Sequence, residues 1–146
     1  MHLLLVDDVA DTRFIFRTSF EMAGHSMNLA SDGMEALAAV QEHCFDAIIM
    51  DLSMPDLDGW QTTQAIRQLP NGAQLPIVIF TAHPERRLNK RAVQVGADHV
   101  LQKPMLPSEL RAFVENIVAQ RDSLQETTAV HSPRMQDDGM WNKSTV

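Results

Sequence analysis

The stretch Ala47-Ile48-Ile49-Met50-Asp51-Leu52-Ser53-Met54-Pro55-Asp56-Leu57-Asp58-Gly59 decides the reading of this chain. It opens as an apolar run with no polar alternation. So short a run, closed by turn residues, predicts a strand buried on both faces, as in a parallel sheet covered by helices. The run ends on an acid. Ligands of open α/β sheets sit outside the carboxyl ends of the strands, so Asp51 is expected at the mouth of a site. Pro55, Asp58 and Gly59 then punctuate a turn before the next helical pattern.

Working outward, three more short apolar runs end in chemistry. Leu3-Leu4-Leu5-Val6 ends at Asp7-Asp8, Ile77-Val78-Ile79-Phe80 at Thr81, and His99-Val100-Leu101 at Gln102-Lys103-Pro104. A more polar strand over 25–30 suits a sheet edge, and Pro76 opens the fourth strand, where a missing N–H is tolerated. Helical spacing predicts helices over 11–23, 34–42, 60–69 and 84–95, and a last one capped by Pro107-Ser108. Their inward faces are expected to be Ile15, Phe16, Ser19, Phe20 and Ala23; then Leu37, Ala38 and Val40; then Ala65, Ile66 and Leu69; and finally Leu110, Phe113, Val114, Ile117 and Val118. Strands alternating with helices imply right-handed crossovers and a doubly wound α/β sheet. The flavodoxin-like order 2-1-3-4-5 puts the strands ending in Asp7-Asp8 and Asp51 at the switch point. From about residue 122 the pattern stops. One domain over 1–121 and a flexible, polar tail over 122–146 are expected, the tail being unable to bury a core of its own.

Composition narrows the functions. A net charge of −7 argues against direct DNA binding, which needs a basic surface. The single cysteine, Cys44, excludes an internal disulfide and reads as a buried thiol between a helix and a strand. No stretch approaches the ~20 apolar residues of a membrane span, and Asp7-Asp8 interrupts any leader-like run, so a cytoplasmic protein is expected. The six histidines show no zinc spacing. Asp56-Leu57-Asp58-Gly59 hints at a calcium loop, but Met54 and Ala65 stand where that loop needs polar and acidic ligands.

Asp7-Asp8, the Asp51 strand end with Met54 to Gly59, Thr81-Ala82, Gly96-Ala97-Asp98 and Lys103-Pro104 follow in order at suitable spacing. Over residues 2–121 the chain thereby resembles the receiver domain of bacterial two-component response regulators. The resemblance implies that Asp51 accepts a phosphoryl group from a histidine kinase or a histidine phosphotransfer protein. Three carboxylates at one sheet edge repel each other, and a hard divalent cation such as Mg²⁺ offsets this. Asp8, Asp51 and the backbone carbonyl of Ser53 are its expected direct ligands, with Asp7 acting through a water. Lys103, Thr81 and the backbone N–H of Ala82 are expected on the phosphoryl oxygens, and the Lys103–Pro104 bond is expected to be cis. Transfer of this kind needs positioning and charge neutralisation more than acid–base chemistry.

The resemblance also implies a binding module, not an enzyme with a separate substrate. Phe14 on the first helix is a candidate contact for the phosphodonor. Output is expected through the face of the fourth helix, fifth strand and fifth helix, toward a downstream protein or a second copy of the chain. That face carries Arg86, Arg87, Lys90 and Arg91, four of the chain's twelve basic residues. Val100 departs from the pattern, since receivers usually carry a switching Tyr or Phe there. A stand-alone response regulator is the expected function. The alternatives are a relay passing phosphate to a histidine phosphotransfer protein and a Mg²⁺-dependent small-molecule phosphatase, for which Ser53 stands where a second acid is wanted.

Overall fold

The structure is a computed structural model that describes residues 1–54, 57–83 and 87–131. Five strands, β1 (His2–Val6), β2 (Ser26–Ala30), β3 (Ala47–Met50), β4 (Ile77–Thr81) and β5 (His99–Gln102), alternate with five helices. These are α1 (Ala10–Met22), α2 (Gly33–Glu42), α3 (Gly59–Arg67), α4 (Leu88–Val95) and α5 (Pro107–His131). The strands form one parallel sheet in the order β2-β1-β3-β4-β5. The fold is therefore the flavodoxin-like, doubly wound α/β sheet that the alternating runs predict, with the polar strand β2 at an edge.

The pleat explains why the central runs are apolar throughout. Successive side chains point to opposite faces, and here both faces are covered. Leu4, Val6, Ile48, Met50, Ile77 and Ile79 share one buried cluster with Ala36 and Val40 of α2, Ile66 of α3, and Leu88, Ala92 and Val95 of α4. Leu3, Leu5, Ile49, Val78 and Phe80 alternate with these and are equally buried. On that side Phe16 of α1 meets Phe80 edge-on, with ring centroids 5.6 Å apart.

Local chemistry sets the element ends. Asp32 and Asp58 cap α2 and α3 by accepting the N–H of Glu35 and Gln61, each at 2.8 Å. Arg67 at the end of α3 donates to the carbonyls of Gly96, Gly72 and Leu75 at 2.6–2.7 Å and pairs with Asp98 at 3.0 Å. One guanidinium thus satisfies three loop carbonyls. Gly96 ends α4 in the left-handed region at φ 90°, a helix stop that suits glycine.

Several expectations are corrected. Helix α1 buries only Phe16 and Phe20, whereas Ile15 is 52% exposed and Ala23 is exposed. The helix is narrower in its buried stripe than the apolar spacing suggested, because one sheet face can cover only one side of it. On α2, Ala36 takes the buried position expected for Ala38, which is exposed. On α3, Thr62 and Thr63 are buried beside Ile66, their hydroxyls donating to the carbonyls of Asp58 and Gly59. Cys44 is exposed, because the α2–β3 loop turns Phe45 inward instead. Helix α4 begins at Leu88, later than residue 84; residues 84–86, including Arg86, lie outside the described residues, as do Pro55 and Asp56.

The chain divides into a unit Met1–Val114 and a unit Glu115–Val146. In the second, helix continues to His131, past residue 122 where irregular chain was expected. No glycine or proline interrupts Glu115–His131, and alanine, glutamine, arginine and leucine among them favour helix without needing an apolar stripe. Residues 132–146 lie outside the described residues. No helix among the described residues is long and apolar enough to cross a membrane.

This packing separates two isoleucines of similar sequence context. Ile48→Ala, which empties a site with 0% exposure, should cost about 2–5 kcal/mol in denaturant unfolding. Ile15→Ala should stay within about 0.5 kcal/mol of the wild type. Equal losses would mean that α1 packs through Ile15 after all.

Candidate functional site

Register, read strand by strand, brings the polar ends together. Val6 of β1 pairs with Met50 of β3, so Asp7 and Asp51 leave the sheet at the same level. The ladder continues one step further: the N–H of Asp7 donates to the Ala30 carbonyl at 3.1 Å, and that of Asp51 to the Val6 carbonyl at 2.9 Å. Met50 pairs with Ile79, and Thr81 with Gln102. The N–H of Lys103 then donates to the Thr81 carbonyl at 2.8 Å.

The three carboxylates present oxygens that all lie within 4.8 Å of one another. Asp7 and Asp51 are buried and Asp8 is exposed. Lys103 reaches across from β5, its Nζ 2.8 Å from Asp7 Oδ2 and 4.0 Å from Asp51 Oδ1. Its path runs over the Phe80 ring at 5.3 Å, an aromatic face that favours a cation. The bond from Lys103 to Pro104 is cis, as the resemblance implies.

Backbone groups fix the acids. Asp7 accepts the N–H of Val9 at 2.8 Å through Oδ1, and the carbonyl of Asp7 accepts the Arg13 guanidinium at 2.6 Å. Asp51 Oδ1 accepts the N–H of Leu52 at 2.9 Å. The start of α3 comes so close to the end of β3 that a Cβ on Gly59 would lie 2.2 Å from the Asp51 carbonyl oxygen. Glycine is required there by close approach of backbone to backbone. Thr81 is buried, and its hydroxyl oxygen accepts the N–H of His83 at 3.1 Å.

Burial pushes the Asp51 carboxyl above its ordinary value, opposed by Lys103, reinforced by the Asp7 charge and opposed again by the N–H groups of Leu52 and Ser53. Desolvation leads because a charge loses water without a full complement of partners. Three carboxylates face one ammonium, with the Asp8 side open to solvent. Hard oxygen donors in that arrangement suit a hydrated divalent cation.

Of the residues singled out in the sequence, Asp7, Asp8, Asp51 and Lys103 converge. Thr81 lies at the adjacent strand end, and Ser53 and Ala82 are exposed on the loops after Asp51 and Thr81. The sequence missed Arg13, which holds the acidic loop through the Asp7 carbonyl; one of two arginines on a first helix gives little hint of that role. It also missed Gln102, whose amide donates to the His83 carbonyl at 3.2 Å. No periodicity signals such a contact.

A family model of the response regulator receiver domain matches residues 3–115. Among curated proteins, a probable transcriptional regulator (ycf27) of Cyanidium caldarium is 37% identical over 117 residues, covering 80% of this chain and 46% of its own length. The chain thus spans about half the length of that relative. Among solved structures, the chemotaxis protein CheY4 of Vibrio cholerae superposes with TM-score 0.75 at 31% identity, covering 79% of this chain and 96% of that one. The receiver domain of the sensor histidine kinase PA1611 of Pseudomonas aeruginosa PAO1, with a magnesium ion coordinated in its active-site cleft, gives TM-score 0.74 at 29% identity. It covers 81% of this chain and 97% of that one.

The raised Asp51 value carries a sign. A carboxyl whose folded value lies above its unfolded one destabilises the fold as pH rises through the titration, and the penalty vanishes in acid where both states are protonated. In metal-free buffer Asp51→Asn should therefore melt above the wild type at neutral pH, and the gap should close toward pH ~3. A variant that melts below the wild type at neutral pH would mean that Asp51 is a net stabilising charge.

Proposed function

Since the chain belongs to the response regulator receiver domain family, we propose that Asp51 is its phosphoacceptor and that the chain signals through phosphorylation-dependent protein binding. The observation that carries this reading is the convergence of Asp7, Asp8, Asp51 and Lys103 at one sheet edge. A carboxylate oxygen of Asp51 attacks the donor phosphorus, and the bond from phosphorus to the donor histidine nitrogen breaks. The electron pair returns to the imidazole, and an aspartyl phosphate results. Transfer to a carboxylate needs no proton from Asp51.

Asp8, Asp51 and the Ser53 carbonyl are the proposed ligands of a Mg²⁺ ion, with Asp7 holding a water; bound there, the ion supplies positive charge to the phosphoryl oxygens. The magnesium in the kinase receiver supports this choice. Lys103, held by Asp7 before transfer, provides a second positive charge. The Thr81 hydroxyl and the Ala82 N–H are assigned to further phosphoryl oxygens. No separate substrate is turned over; attack by water on the phosphoaspartate only resets the protein.

The receiver is assigned to residues 1–121, with 122–146 appended, and the protein to the cytoplasm. For the phosphodonor, an apolar groove of about 670 Å³ lies between α1 and the start of α5, lined by Phe14, Ile15, Met22 and Leu106 among others. It suits the apolar surface of a kinase or phosphotransfer domain. For output, Arg87, Lys90 and Arg91 are exposed at α4, with Arg91 5.4 Å over the Trp60 ring. They suit an acidic surface of a downstream protein or of a second copy.

Incubation with acetyl phosphate and Mg²⁺ should add one phosphoryl mass to the intact protein, and chelation of the metal should prevent it. Asp51→Asn should take up none. Labelling that persists in that variant would move the acceptor elsewhere. Charge reversal at Arg87 and Lys90 should weaken phosphate-dependent association by roughly two- to thirtyfold while loading continues, since exposed ion pairs contribute ~0.2–1 kcal/mol each.

A further inference from the structure

We propose that Gln102 is a positioning residue whose side-chain amide latches the Thr81–His83 turn to the end of β5, and so sets how long a phosphoryl group survives on Asp51. The proposal rests on Asp51 being the phosphoacceptor.

The latch is visible in four hydrogen bonds. The Thr81 oxygen accepts the N–H of His83 at 3.1 Å, folding the chain after β4 into a short turn. The carbonyl of His83 accepts Nε2 of Gln102 at 3.2 Å. Only the NH₂ end of an amide can face a carbonyl, so the orientation of Gln102 is fixed by its partner. The next residue, Lys103, gives its own N–H to the Thr81 carbonyl at 2.8 Å and its ammonium to Asp7 at 2.8 Å. Gln102 at the end of β5 and Lys103 just beyond it thus hold both ends of the Thr81–His83 turn.

The turn forms the β4 side of the site, with Ala82 and His83 exposed to solvent. Without Gln102, Thr81 stays tied through its carbonyl but the His83 carbonyl loses the Gln102 hydrogen bond. The turn then opens more often and water approaches the phosphorus. In the resetting step the water oxygen bonds to phosphorus and the bond from phosphorus to the Asp51 oxygen breaks. Its electron pair returns to the carboxylate, and both water protons leave with inorganic phosphate. One exposed hydrogen bond biases the closed turn by a small factor, so the half-life should shorten about two- to tenfold.

Gln102 is itself exposed, which allows substitution without touching the core. Gln102→Met keeps the length and removes the donor; Gln102→Arg keeps a donor. The full chain is loaded with acetyl phosphate and Mg²⁺, freed of donor, and followed by intact mass. The expected result is faster loss of the phosphoryl group from Gln102→Met and restoration toward the wild-type rate in Gln102→Arg. Mg²⁺ affinity and melting temperature should stay constant, and amide exchange at His83 should speed up in Gln102→Met. A wild-type decay rate in Gln102→Met, or equal acceleration in both variants, overturns the latch. Failure of the wild type to load at all overturns the phosphoacceptor reading itself, and the latch with it.

Discussion

Among the described residues, three carboxylates share the end of the sheet with one ammonium, and most of what the site does follows from that imbalance. Lys103 sits nearer to Asp7 than to Asp51, at 2.8 against 4.0 Å. Asp51 is therefore the acid left with incomplete compensation, and burial outweighs its partners and raises its pKa. A buried charge with too few partners is costly, and either a proton, a cation or a change of chemistry relieves it. The fold places that strain where a phosphoryl group and a divalent ion could enter, because Asp8 remains open to solvent.

The arrangement is held by backbone, not by the acids themselves. Parallel register aligns the ends of β1 and β3, and one more ladder bond on each fixes the first atoms beyond them. Gly59 lets the start of α3 approach the Asp51 carbonyl, while Arg13 and the N–H of Val9 hold Asp7. The ammonium of Lys103, just past the end of β5, then completes the site. The same strand end also bonds to the turn after β4, through Lys103 to Thr81 and Gln102 to His83.

The sheet and the acids were legible in the sequence because buried parallel strands cannot alternate, and each of those apolar runs stops at a polar residue. Topology then does the rest: strands one and three must meet at the switch point, and their terminal acids with them. Helix faces were less legible. Periodicity marks Ile15 and Ala38 as inward as readily as Phe16 and Ala36, and only the position of the sheet decides among neighbours on a helical surface. Cys44 was misread because burial was inferred from flanking apolar elements, although the loop spends its one inward position on Phe45. The helix reaching His131 shows local propensity acting where no apolar stripe announces it. Contacts such as Arg13 to the Asp7 carbonyl and Gln102 to His83 join residues whose spacing says nothing of their meeting.

The central claim is that the under-compensated acid at the end of β3 carries the phosphoryl group. Trapping gives the most direct measurement: borohydride reduction of the freshly loaded protein, followed by peptide mapping. An acyl phosphate on a side-chain carboxylate is reduced to the alcohol, so the account predicts homoserine at position 51, with Asp7 and Asp8 recovered unchanged. Homoserine at position 7 or 8, with intact aspartate at 51, would contradict it.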